Sequence, residues 1–137
     1  MTVGIPQGIL FGTLISLLTM IYRTSNPHIA VLGRIKGTQY YKNIIRFENE
    51  IEIDERILIL RFDSQLFFGN KDFFKKEFTK QIKRKGNTLE IVILNAETIN
   101  YIDSSALSML EKIFDDRKKQ GLKIMIAGAT GPVRDII

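Results

Sequence analysis

The first charged side chain in this chain is Arg23. Everything before it, MTVGIPQGILFGTLISLLTMIY, is uncharged and mostly apolar. As a helix rising about 1.5 Å per residue, it would cross the roughly 30 Å hydrocarbon core of a bilayer. Such a segment must either lie in lipid or be covered by protein. A secretory signal needs a basic start and a small-residue cleavage site. Neither is present: no Lys or Arg precedes Arg23, and IYRTSNPH has no Ala-x-Ala pattern. A buried core helix usually runs shorter and keeps a polar face. Here the polar side chains Thr2, Gln7, Thr13, Ser16, Thr19 and Tyr22 gather on no single stripe. Residues 1–22 therefore read as a transmembrane helix. Gly4, Pro6, Gly8 and Gly12 suit it, since small residues and Pro are commoner in membrane helices. With no polar segment ahead of it, the helix is expected to be truncated at its start and to end a longer protein.

After it come Arg23, Arg34, Lys36, Lys42 and Arg46, with no acidic residue before Glu48. An acid-free basic stretch beside a membrane helix marks the cytoplasmic side. TSNPH and LGRIKGT carry the Pro and Gly of a connector. Residues 23–42 read as a basic juxtamembrane linker, and 43–137 as the soluble domain.

Within that domain RILILRFD (56–63) is a β-branched apolar run and reads as a buried strand. QLFFGN (65–70) continues as a short extended piece, with Asn70 as N-cap of a helix in KDFFKKEFTKQIKRK. Phe74, Phe78 and Ile82 give that helix an apolar face beside Phe73. Lys83, Arg84 and Lys85 suit its C-terminal dipole, and Gly86 ends it. LEIVILN (89–95) is a second strand. A second helix follows, with Leu107, Leu110, Ile113 and Phe114 on one side and Gly121 as its stop. LKIMIAGA (122–129) is a third strand, and Pro132 opens a helix too short to stand alone. The domain is thus expected to be truncated at its C-terminus too. This alternation predicts an α/β fold, with a mostly parallel inner sheet and helices packed on it. YYKNIIRFENEIEID is expected to add an edge strand.

Several chemistries are excluded. Without Cys there are no disulfides or thiolate metal ligands, and one His, His28, excludes any site with two imidazoles. No metal or cofactor is expected. The net charge of +5 permits nucleic acid, anionic lipid or small anions without choosing among them.

Asp103, Ser104 and Ser105 stand where the second strand hands over to the second helix. Ser and Asp are preferred caps at such a junction, so Asp103 or Ser104 caps and Ser105 enters the first turn. The same place favours a phosphoserine, because free N–H groups and the helix dipole stabilise a phosphate. A serine hydrolase is disfavoured: the only His lies in the linker and the Gly-x-Ser-x-Gly elbow is missing. GATGP (128–132) starts like a dinucleotide loop, but Arg134 replaces its third glycine, which leaves a plain β–α turn. Lys71, Lys75, Lys76, Lys80, Lys83 and Arg84 form a basic helix face, read as solvated rather than lipid-bound. Phe73, Phe74 and Phe78 read as core, not as a platform for stacking bases, so no nucleic-acid partner is expected.

The apolar helix ending in SLLTMIYRTSNPHIAVLGRIKGTQYYKNI, then ILILRFDSQLFFGNKDFF and INYIDSSAL, resembles the C-terminal part of SulP-family anion transporters. There the last membrane helix leads through a connector into a cytoplasmic STAS domain. YRTSNPHIAVLGRI and LFFGN are quite specific to that family, while IDSSAL is shared with the wider STAS group, which includes bacterial anti-sigma-factor antagonists. The resemblance implies carriage of sulfate, bicarbonate or related anions by membrane helices outside this chain. The STAS domain would serve regulation, folding, targeting and protein contacts. It implies an integral membrane protein of the inner or plasma membrane, a homodimer, an unnamed cytoplasmic partner and no enzymatic activity. In the antagonists the second Ser of the motif accepts phosphate, and it corresponds to Ser105. They usually have Gly next, where this chain has Ala106. The alternative is a free-standing antagonist switched by Ser phosphorylation, which has no use for an uncharged membrane-length helix.

Overall fold

The computed structural model describes residues 4–47 and 49–136. Of the stretches read above, residues 1–3 of the apolar helix and residues 48 and 137 of the soluble domain lie outside these. Helix α1 spans Ile5–Ser25, with Pro6 in its first turn, where the missing N–H costs nothing. None of its residues is buried. The hydroxyls of Thr13, Thr19 and Thr24 each donate to the carbonyl four residues back at 2.9 Å. These three hydroxyls are thus satisfied within the helix.

Strand β1, Ile29–Ile35, follows at once. It lies inside the stretch read as a linker, so the sheet starts before residue 43. Pro27 and Gly37 bound it like a connector, yet IAVLGRI between them is an apolar, β-branched run. Gly33 is a packing requirement, because a Cβ there would run into the Ile51 side chain. The expected edge strand is two short pieces, β2 (Tyr41–Asn43) and β3 (Ile51–Glu52), both antiparallel to β1.

The rest follows the predicted alternation: β4 Ile57–Phe62, α2 Lys71–Lys85, β5 Ile91–Asn95, α3 Ser104–Lys119, β6 Lys123–Ala127 and α4 Gly131–Arg134. The sheet order is β2-β1-β4-β5-β6. The β4-β5-β6 part is parallel, while β1 runs antiparallel to β4, with Ile29 opposite Phe62. Strictly alternating burial along β4 and β5 turns Leu58, Leu60, Phe62, Val92 and Leu94 inward. They meet Phe74, Phe78 and Ile82 of α2 and Ala106, Leu110, Ile113 and Phe114 of α3 in one core. Phe62 meets Phe74 edge-on at 5.2 Å between ring centroids.

This topology sets the site. Chain direction puts the loops leaving β4, β5 and β6, and the starts of α2, α3 and α4, at the carboxyl edge of the parallel strands. Because β1 is antiparallel to β4, it begins at that same edge, and α1 ends there.

Candidate functional site

The site is the carboxyl edge between β4 and β5, where the loop 63–70 meets the loop 96–103. Two backbone bonds stitch the loops: Leu66 N–H donates to Tyr101 O at 3.0 Å, and Asp103 N–H to Leu66 O at 3.2 Å. Asp103 is extended and takes the N-cap position of α3. Its Oδ1 accepts from Ala106 N–H at 2.8 Å, and its Oδ2 from Phe68 N–H at 2.8 Å. One carboxylate thus caps its own helix and fastens the loop before α2. These bonds hold it below the usual carboxylate range; Ala106 N–H is the main cause, with Phe68 and Ser105 N–H groups and Lys71 adding.

The cap falls to Asp103, not Ser104. Ser104 is exposed in the first turn, and Ser105 is half-buried beside it. Ser105 Oγ accepts from Lys71 Nζ at 2.6 Å. Lys71 opens α2, so the contact joins the starts of two helices. A phosphate on Ser105 would meet an ammonium group and a helix N-terminus together.

Two residues here have partners that the sequence does not announce. Lys71 reads as part of the basic helix face, and nothing local marks it otherwise, since its partner lies 34 residues away. Asn70 does hold the N-cap position of α2, but its side chain makes no cap bond there. Instead its Oδ1 accepts from Phe67 N–H at 3.0 Å, and its Nδ2 donates to Gln65 O at 2.8 Å and to Thr24 O at 3.4 Å. It is only 1% exposed.

The competing sites are placed as follows. His28 Nδ1 lies 3.0 Å from Asp63 Oδ2, and the same carboxylate takes Arg61 Nε at 2.6 Å. The ring is thereby engaged with Asp63 beside the start of β1. GATGP is a bend at Gly128, with φ +70°, followed by Thr130 as the N-cap of α4. Phe74 and Phe78 are buried, so their faces are closed to a stacking base. Among the described residues no cluster of three or more His, Cys, Asp or Glu suits a metal ion.

The STAS domain family matches residues 48–137. A probable sulfate transporter 4.2 of Arabidopsis thaliana is 35% identical over 133 residues, which is 90% of this chain and 20% of that protein. The chloroplastic sulfate transporter 4.1 of the same plant is 32% identical over 142 residues, 97% of this chain and 20% of its own length. The chain spans about a fifth of the length of these curated relatives. Among solved structures, the murine solute carrier 26 family member A9 anion transporter, inward-facing, matches with a TM-score of 0.82 at 23% identity, over 95% of this chain and 21% of that one. That likeness is one of fold, and its coverage is too complete to leave out the 21 residues of α1. The parallel β4-β5-β6 sheet, the helices packed on it and the family match over 48–137 agree: this chain belongs to the STAS domain family.

Proposed function

We propose that the chain is the membrane-tethered regulatory and interaction part of a SulP-type secondary anion transporter. Sulfate is the first candidate cargo, because the similar curated proteins are sulfate transporters. In this reading the chain does not carry the anion itself and is not an enzyme. Its helix α1 is the last membrane span, and β1 to α4 stand in the cytoplasm. The transport helices, lipid and a second copy are its partners, nucleic acid is not, and a cytoplasmic protein is met at the carboxyl edge. In this reading α1 is the span, residues 26–28 are the joint and the STAS unit starts with β1, supported by the pairing of β1 with β4.

One observation carries this reading. Helix α1 is 21 residues long and apolar enough to cross a membrane, yet the folded domain covers none of it. Ile9, Phe11, Leu18 and Ile21 are each about 60–70% exposed. Apolar surface on that scale needs a solvent other than water. The basic residues after Arg23 favour the cytoplasmic side.

Ser105 is proposed as the regulatory phosphoacceptor, supported by its Lys71 contact and its place at a helix start. The second reading, a free-standing anti-sigma-factor antagonist, keeps Ser105 and leaves α1 without a purpose.

The test is membrane fractionation of the full-length gene product, followed by uptake of labelled sulfate and bicarbonate into vesicles. A membrane-bound product with anion uptake supports the transporter and names its cargo. A fully soluble product overturns it in favour of the antagonist.

A further inference from the structure

Helix α1 is fastened to the folded domain by little. Among the described residues one hydrogen bond joins them, from Asn70 Nδ2 to Thr24 O. Thr24 lies in the last turn of α1, where carbonyls lack partners within the helix. Asn70 therefore sits at the start of α2 while satisfying an orphan carbonyl at the end of α1. It is the one buried polar side chain among the described residues.

Its three bonds are unequal. Those to Phe67 N–H and Gln65 O, at 3.0 and 2.8 Å, lie within its own loop. The one to α1, at 3.4 Å, is long and gives first. The same loop is tied on its other side to the Asp-Ser-Ser junction. Phe68 N–H is on Asp103, and Lys71 Nζ is on Ser105. Asn70 thus stands between Phe68 and Lys71, the two residues that the junction holds.

We propose that Asn70 is a positioning residue that couples the Asp103–Ser105 junction to the end of helix α1. A negative charge at Ser105 draws the Lys71 ammonium and the first turn of α2 toward α3. Asn70 moves with Lys71, and the long bond to Thr24 is lost. The helix is then freer to change its angle to the sheet. The input rests on the reading of Ser105 as the regulatory position; the Asn70–Thr24 joint does not.

The chain has no cysteine, so introduced labels are unique. Two spin labels on the chain in lipid nanodiscs report the joint: Leu18→Cys in α1 and Lys118→Cys in α3. A second pair, Lys76→Cys and Lys118→Cys, reports the fold of the domain. Asn70→Asp keeps the oxygen that Phe67 N–H needs and removes the Nδ2 donor to both Gln65 O and Thr24 O; the 76–118 pair, with Lys76 on α2, reads whether losing the Gln65 bond disturbs more than the joint. The substitution should at least double the width of the 18–118 distance distribution and leave the 76–118 pair narrow. Asn70→Ser is too short to reach Thr24, can still serve Phe67 N–H, and carries the same expectation if the aspartate disorders the loop. Ser105→Glu should widen the 18–118 distribution in the parent chain and add little in the Asn70→Asp background. Unchanged 18–118 widths in both Asn70 variants, with a narrow 76–118 pair, overturn the joint. Full additivity of Ser105→Glu and Asn70→Asp overturns the coupling and leaves Ser105 acting elsewhere.

Discussion

Helices α1 and α3 are both rich in apolar residues, but only α3 finds cover for them within this chain. In α3 the apolar residues Ala106, Leu110, Ile113 and Phe114 recur on one side and are buried, and the other side is charged. In α1 the apolar residues go all the way round and none is buried. The apolar side of α3 is covered by the sheet, whereas that of α1 is left uncovered by this chain, which the proposed reading assigns to lipid. The capping differs accordingly. Asp103 gives α3 a side-chain cap, whereas α1 begins at Gly4 without one and borrows a donor from Asn70 at its end.

The strongest way to break this comparison is to damage the shared core. Phe78 is fully buried, stacked 5.6 Å from Phe74 and tilted at 44° against Phe114 at 6.0 Å. Phe78→Ala should cost about 3–5 kcal/mol in urea unfolding, a large part of a small domain's stability. Leu14→Ala, on the exposed face of α1, should leave that transition in place in lipid nanodiscs. Equal losses from the two would mean that α1 packs on the domain after all.

How much of this was legible beforehand follows from sequence distance. The strands β4, β5 and β6 and the helices α2 and α3 announce themselves through short-range periodicity and stop signals such as Gly86 and Gly121. Strand β1 does not, because its flanking Pro27 and Gly37 look like linker punctuation and its partner β4 lies almost thirty residues on. At the site, Asp103 was legible as one of two caps, since capping is local. Which residue caps depends on the backbone, and Asp103 is the extended one. The contact of Lys71 with Ser105 and the turn of Asn70 toward Thr24 are tertiary, and residue types alone say nothing of them.

The next largest effect tests the cap. Asp103→Ala removes an acceptor from both Ala106 and Phe68 and should cost about 1–2 kcal/mol. Asp103→Asn keeps one acceptor for the Ala106 N–H cap but sets an amide NH2 against Phe68 N–H, so it removes the charge and the loop bond while keeping the cap. The Asp103 carboxyl is held low in the folded state. Its charge therefore stabilises fully above the unfolded carboxylate value of about 3.9, and that contribution fades as pH falls through the lowered folded value. The stability gap between the parent chain and Asp103→Asn should close as pH is lowered below about 4. A gap that widens in acid would show that the carboxylate is not favoured by the fold.

Ser105→Ala comes third. It removes an oxygen that Lys71 reaches at 2.6 Å, and solvent replaces part of that bond, so the expected loss is about 0.5–1 kcal/mol in thermal unfolding. A loss this small alongside altered transport or partner binding in the full-length protein would make Ser105 regulatory. A loss near that of the Asp103 cap would make it structural.

The smallest effect concerns the exposed basic side of α2, which sharpens the contrast with α1. Lys80 pairs with Glu77 at 3.1 Å, one turn apart, with its own side chain 57% exposed. An exposed pair of this kind contributes little, because water and salt screen it and two long side chains lose freedom. Lys80→Gln should therefore shift stability by less than about 0.5 kcal/mol. The same substitution also tests what that side of α2 faces. If it is solvated, Lys80→Gln leaves the affinity of the chain for anionic and neutral nanodiscs alike. Loss of preference for anionic lipid would place α2 against the headgroups, and both helices would then depend on the bilayer, α1 through its apolar surface and α2 through its charge.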